Sequence, residues 1–157
     1  MPVLTIISRW LHIVTACLAV GGVFFIRFVQ PAGLSMLEPE IRKAVFLKTR
    51  RVFKMVMHTA ILLFLITGSY NAYVSLGKYA LDPAVLHPLL GTHILLALVA
   101  FSIALFVLAG AEPPASHRKL MAVNFGILLL VVATASTLKW AREKAVADHS
   151  IPISGTR

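Results

Sequence analysis

Four long apolar stretches separated by short polar connections make up most of this chain. Their apolar cores run from Leu4 to Val29, Val52 to Tyr73, Leu86 to Leu108 and Leu120 to Leu138. At a rise of about 1.5 Å per residue, an α-helix of any of these lengths can cross a hydrocarbon core of about 30 Å. When the polar flanks of these stretches are included, the predicted helices span residues 4–29, 38–76, 83–110 and 115–143. They form one transmembrane domain (1–143), which a flexible polar tail (144–157) follows.

The short connections favour antiparallel neighbours, so the predicted fold class is all-α, an integral membrane up-down-up-down four-helix bundle. Hydrophobic residues are 59% of the chain and charged residues only 13%, with a mean hydropathy of +0.87. These values exclude a soluble globular domain. The first apolar run is longer than the roughly 7–15 residues of a signal peptide, so we expect it to remain as a membrane helix.

The net charge of +9 indicates a partner of negative charge. Because the Lys and Arg residues lie at helix ends and in connections, we expect anionic membrane lipids and no nucleic acid. Counted by side, nine basic residues fall in the connections between helices 1 and 2 and between helices 3 and 4, and six fall on the other side. The positive-inside rule then predicts a bacterial inner (cytoplasmic) membrane protein with both termini in the periplasm.

Histidines inside the predicted helices are the candidates for chemistry, since ionisable groups are costly within a membrane. His12 and His93 lie on the first and third predicted helices, which run in the same direction. From the rise per residue, both are about 3–6 Å inside the same face of the bilayer. The sequence therefore predicts a pair of imidazoles at one level on two helices.

Small residues flank both histidines at helical spacing, namely Ala16, Ala19 and Ala100. We expect them to leave space for a b-type haem with His12 and His93 as axial ligands, because neutral imidazole is a common ligand of haem iron. Histidines that only form hydrogen bonds between packed helices are the competing interpretation. Cations facing the propionates and an aromatic ring at the interface complete the predicted cofactor site: Arg9, either Lys139 or Arg142, and Trp10.

Two histidine ligands leave no open iron position, which favours electron transfer over oxygen chemistry. The expected partners are a quinone or a periplasmic or membrane redox protein. The sequence leaves three points open. They are whether the chain binds one haem or two, whether it forms a homodimer or belongs to a larger complex, and whether it is a membrane oxidoreductase.

A second candidate metal site lies near the other face. His58 follows Met55 and Met57, and Met121 of the fourth predicted helix is at the same depth. Thioether sulfur with imidazole suits Cu(I), so copper is the alternative cofactor. His87 precedes His93 by six residues and lies about 120° round the helix, so we expect it at the interface or near a propionate rather than on the same metal.

Several short motifs resemble two related families of membrane proteins. Leu11-His12, the run from Gly21 to Ala32, and the runs Arg51-Val-Phe and Ile66-Thr-Gly-Ser-Tyr-Asn-Ala resemble the CopD-like copper-resistance domain. The first helix, with Thr92-His93 and the run from Arg118 to Asn124, is similar to HemJ-type protoporphyrinogen oxidases. The resemblance spans most of residues 9–140.

The two resemblances imply different functions on one four-helix fold. The first implies copper transport or resistance. The second implies protoporphyrinogen IX oxidation, with haem at the histidines of helices 1 and 3. The chain departs from the HemJ pattern at Leu95, where that family has lysine, and at Phe125, where it has an acidic residue. These departures favour the cytochrome hypothesis over porphyrinogen oxidation.

Overall fold

The structure, a computed structural model, describes residues 2–78, 83–109 and 115–150. Its elements are α1 (Pro2–Phe24), a π-helical turn (Phe25–Val29), α2 (Gln30–Leu34), α3 (Pro39–Lys78), α4 (Pro83–Ala109) and α5 (Ala115–Ser150). Four segments of this described part are long and apolar enough to cross a membrane: Val3–Leu34, Pro39–Gly77, Ala84–Ala109 and His117–Ala145. The predicted all-α, four-helix fold is confirmed, and the chain has the architecture of a multi-pass membrane protein.

The four long helices form two close pairs. α1 packs mainly against α3 and α4 mainly against α5, while smaller interfaces join α1 to α5 and α3 to α4. Contacts between the early part of one helix and the late part of the next show that consecutive long helices run in opposite directions. We call the end where α1 begins and α5 finishes the terminal end, and the end that carries α2 and the start of α3 the basic end.

A single stripe of each helix is buried. On α3 the buried residues Phe53, Met57, Ala60, Thr67 and Val74 recur at intervals of three, four or seven, and Ser75 is buried beside Val74. This spacing is the signature of a helix with one inward face. The main core cluster comprises Ala19, Val23, Phe53, Met57, Ala100, Ala104, Val107, Leu108, Met121 and Leu128. Large apolar side chains cover the outward faces, where hydrocarbon lipid tails are as apolar as the protein.

The first membrane segment widens into a π-helical turn before it ends. The Gln30 N–H donates to the Phe25 carbonyl, five residues earlier. Pro31 has no N–H, and in a regular α-helix its ring would clash with the carbonyl of Arg27. The wider turn removes that conflict. Helical backbone therefore continues through α2 to Leu34, and the predicted end at residue 29 is wrong.

The other end of the chain also holds more helix than predicted. α5 runs to Ser150, so residues 144–150 are helical rather than a flexible tail, and residues 151–157 lie outside the described residues. Ala141 and Ala145 pack against Leu86 and Leu138. The ion pair between Lys139 and Glu143, at 3.6 Å and one turn apart, adds a smaller stabilisation. Side-chain packing thus extends the helix past its apolar core.

The longest helix, α3, has 40 residues. At the α-helical rise this is about 60 Å, roughly twice the hydrocarbon thickness of a bilayer. The charged segment that precedes the second apolar stretch is therefore one helix with it. This length is enough to carry α3 beyond an apolar layer at the basic end.

Candidate functional site

His12 lies half-buried on the inward side of α1 and faces α3. Its Nδ1 is 2.8 Å from Oγ1 of Thr67. The Thr67 hydroxyl donates its own proton to the Leu63 carbonyl at 2.6 Å, so it accepts a hydrogen bond from His12. A neutral His12 therefore carries its proton on Nδ1 and has a lone pair on Nε2. That lone pair is the form of imidazole that binds a metal.

His93 repeats this arrangement between α4 and α5. Its Nδ1 lies 3.0 Å from Oγ1 of Thr134 and 3.2 Å from the carbonyl oxygen of Val131. A carbonyl only accepts, and the Thr134 hydroxyl already donates to the same carbonyl at 2.9 Å. The His93 Nδ1–H is therefore the donor, and the lone pair of the neutral ring is again on Nε2.

Both imidazoles lie near the terminal end of the bundle, on helices that do not pack directly against each other within the described residues. His12 is hydrogen-bonded to α3 and His93 to α5. The edge of the Phe64 ring meets the His12 ring at a centroid distance of 5.1 Å, and Phe64 stacks on Phe101 at 5.4 Å. Aromatic rings thus close the histidine region on the side of α3 and α4. Both histidines that the sequence singled out therefore lie half-buried inside the bundle.

A ladder of hydrogen bonds joins α1 to α3 above His12. The hydroxyls of Thr5 and Tyr70 are 3.2 Å apart. Ser8 donates to Oδ1 of Asn71 at 3.2 Å. With the bond between His12 and Thr67, these contacts form three successive rungs. Polar residues therefore fill the inward face of α1 wherever it meets α3 near the terminal end.

The predicted cationic and aromatic residues lie at different places around this region. Arg9 is half-buried, and Trp10 is 64% exposed. Lys139 points outward, with a side chain that is 77% exposed and paired with Glu143. Arg142 is the basic residue of α5 that reaches inward, because it lies four positions after the buried Leu138, and it donates to Ser75 at 2.7 Å. The placement of Lys139 at the cofactor is therefore not supported by its orientation.

The alanines predicted to leave a slot are packed instead. Ala19 and Ala100 are 2% and 1% exposed within the core cluster, and Ala16 is half-buried. Their role in this structure is to let the helices approach closely. The donor set nevertheless fits a b-type haem, since each imidazole has its Nδ1–H bound to the protein and its Nε2 lone pair available, the usual state of a metal-binding histidine.

The candidate copper residues are divided between the surface and the core of the bundle. His58 is exposed, and its Nδ1 interacts with the Lys54 carbonyl of its own helix at 2.7 Å. Met57 and Met121 are buried in the core, whereas Met55 is 60% exposed. His87 is exposed on α4. Within the described residues, no group of three or more His, Cys, Asp or Glu side chains could hold a metal ion.

Sequence reasoning missed Thr67 and Thr134, which orient the two histidines. Each lies on a buried or half-buried stripe of its helix, but threonine is common in membrane helices because its hydroxyl can bond to its own backbone. Asn124, which ends the run from Arg118 singled out in the sequence, has a fully buried side chain with neither amide atom hydrogen-bonded. Comparisons of the chain with protein-family models, curated proteins and solved structures gave no match.

Proposed function

We propose that the chain is a membrane b-type cytochrome in which His12 and His93 bind one haem through their Nε2 atoms. The observation that carries this proposal is the shared hydrogen bonding of the two histidines. Each directs its Nδ1–H to an acceptor on a neighbouring helix, which leaves the Nε2 lone pair for a metal. Histidines that only held helices together would not need the same tautomer at matched positions.

The residues around the histidines have distinct roles in this proposal. Thr67 and Thr134 accept hydrogen bonds from the two Nδ1–H groups, fix the ring orientations and raise the basicity of Nε2. Phe64 restricts access of water to the His12 ring. Arg142, held by Ser75, is placed to pair with a carboxylate at the terminal end. When bound, haem would supply reversible one-electron oxidation and reduction of its iron.

Ligation by both histidines favours electron transfer, because it leaves no iron position for a substrate. The partner would be a quinone in the membrane or a redox protein that docks at the terminal end. This end lies in the periplasm if the basic end faces the cytoplasm of a bacterial inner membrane, as the nine-to-six distribution of basic residues favours. Fusing alkaline phosphatase or a fluorescent protein to the C-terminus tests on which side of the membrane the terminal end lies. The phosphatase is active only outside the cytoplasm.

The experiment that tests haem binding is the reduced-minus-oxidised optical spectrum of the purified protein, expressed with ample haem. We expect a b-type α band that is lost in His12→Ala and in His93→Ala. His87→Ala is the matched control, because it removes an exposed histidine from the same helix as His93 and should leave the band unchanged. A colourless wild-type protein would overturn the cytochrome proposal and redirect attention to copper.

A further inference from the structure

A cavity of ≈ 480 Å³ opens at the basic end of the bundle, far from the histidine pair. Five cationic side chains line it: Arg27, Arg42, Lys43, Arg50 and Arg118. Its remaining wall is largely apolar and includes Ile26, Phe46, Phe53 and Met121. No carboxylate is among the described residues that line it. The cavity therefore combines a concentrated positive charge with a surface suited to hydrocarbon.

Backbone carbonyls hold three of the arginines in place. Arg27 donates from Nε to the carbonyl of Arg118 at 2.9 Å, and Arg50 donates to that of Val107 at 2.7 Å. Arg42 donates to the carbonyls of Leu34, Ser35 and Leu37, which follow α2 or end it. A carbonyl orients a guanidinium without cancelling its charge. The positive side chains are thus ordered before any ligand arrives, which lowers the entropic cost of binding.

An independent observation points to a ligand with hydrogen-bond acceptors. Gln30 lines the cavity, is only 8% exposed, and its Nε2 donor has no partner. His117 also lines the cavity, and its buried Nδ1 has no partner either. Buried polar atoms of this kind are costly unless a ligand or water satisfies them. The first turn of α5, which holds His117, adds the partial positive charge of a helix N-terminus.

We propose that this cavity binds the phosphate of an anionic phospholipid. The phosphate would accept from Gln30 and from the arginine side chains, and the first part of the acyl chains would lie on the apolar wall. A cavity of this size matches those that enclose ligands of some tens of atoms, about 300–1,000 Å³, and is too large for phosphate alone. Its position, where membrane-spanning segments meet a basic helix extension, is that of a lipid head group.

The test is a titration of the detergent-solubilised full chain with phosphatidylglycerol, phosphatidylcholine or inorganic phosphate. Thermal unfolding measures how far each ligand stabilises the protein, and native mass spectrometry counts the bound lipid molecules. We expect phosphatidylglycerol to raise the unfolding midpoint and to remain bound as one molecule. Phosphatidylcholine should have little effect, since its choline group opposes the cationic wall. Equal effects of both lipids would overturn the proposal, and an equal effect of inorganic phosphate would assign the site to a soluble anion instead of a lipid.

Arg27→Gln and Gln30→Leu are the informative variants, and each should weaken phosphatidylglycerol binding about tenfold or more. Arg51→Gln is the matched control. It removes the same charge from an exposed residue adjacent to Arg50 that does not line the cavity, and it should bind as the wild type does. Equal weakening in Arg51→Gln would show that affinity depends on net charge alone and would contradict a defined site. Far-UV circular dichroism verifies folding, and Gln30→Met, which also lacks the donor, should reproduce the loss if Gln30→Leu does not fold.

Discussion

Gly22 of α1 faces the ring of Phe53 of α3 so closely that a Cβ atom at Gly22 would lie 2.9 Å from Cε2 of Phe53. Gly21, the preceding residue, has no atom within 4 Å of the same position. The two glycines therefore differ sharply in what a single methyl group would meet. Gly22 permits the close approach of α1 and α3 that small residues commonly provide between membrane helices.

We predict that Gly22→Ala destabilises the bundle by about 1–3 kcal/mol, the usual cost of overpacking a core. Gly21→Ala should be neutral or slightly stabilising, because alanine is the better helix former. Unfolding of both variants in a mixed detergent series measures the difference. Equal stability of the two variants would contradict the close packing of α1 on Phe53.

The threonines that accept from the histidines should control the proposed haem. Replacing Thr67 or Thr134 with valine keeps the shape of the side chain and removes the acceptor hydroxyl. We expect about 10–100-fold weaker haem binding and a higher reduction potential, because a less basic imidazole stabilises oxidised iron less. A haem titration and a potentiometric titration of each variant measure the two effects.

Thr137→Val is the control for these variants. Thr137 lies on α5 with Thr134 and donates to its own backbone in the same way, but it is exposed. Its replacement should leave both haem affinity and potential unchanged. If Thr134→Val behaves like Thr137→Val, the threonine does not act on the histidine.

The buried amide of Asn124 should reduce stability in the absence of a ligand. Both of its polar atoms lack a hydrogen bond, and a buried polar group in this condition costs about 1–3 kcal/mol. We therefore expect Asn124→Leu or Asn124→Val to raise the thermal midpoint. Asn71 makes the opposite case, since its Oδ1 accepts from Ser8, and Asn71→Leu should lower the midpoint. Lower midpoints for both Asn124 variants would mean that the amide has a partner in the folded protein.

Leu138 should stabilise the terminal end by packing. It is 7% exposed and lies with Leu86 in the smaller buried cluster, whereas Leu130 on the same helix is 55% exposed. We predict that Leu138→Ala costs about 2 kcal/mol or more through the cavity that it leaves. Leu130→Ala should cost much less, because its surroundings are fluid lipid or detergent. Equal losses at the two positions would contradict the inward orientation of this face of α5.

The sequence predicted the four-helix fold because that fold depends on strong local signals, and the same kind of signal singled out His12 and His93 as candidates. Apolar runs of membrane length specify helices, and histidines inside such runs are uncommon enough to stand out. The sequence could not decide which of Lys139 and Arg142 faces the candidate site, since both are basic and near the end of α5. The answer depends on the rotation of that helix about its axis, which the buried Leu138 determines and the sequence alone did not reveal.

The sequence did not predict where the first membrane segment ends or which residues orient the two histidines, and the reasons are related. Pro31 is normally a sign that a helix stops, but a π-helical turn relieves its clash and the helix continues. Thr67 looks like any threonine that bonds to its own backbone. Only the packing of α1 against α3 shows that its hydroxyl also accepts from His12. Tertiary contacts decide both features.

The unbroken course of α3 has a mechanical consequence. Arg50, at the cavity, and Thr67, beside His12, belong to the same helix and are separated by 17 residues, or about 26 Å along its axis. A helix of this kind transmits tilt and rotation as a stiff rod and absorbs little of either. A ligand that shifted Arg50 in the cavity would therefore tilt or rotate the same helix that carries Thr67, the acceptor that orients His12.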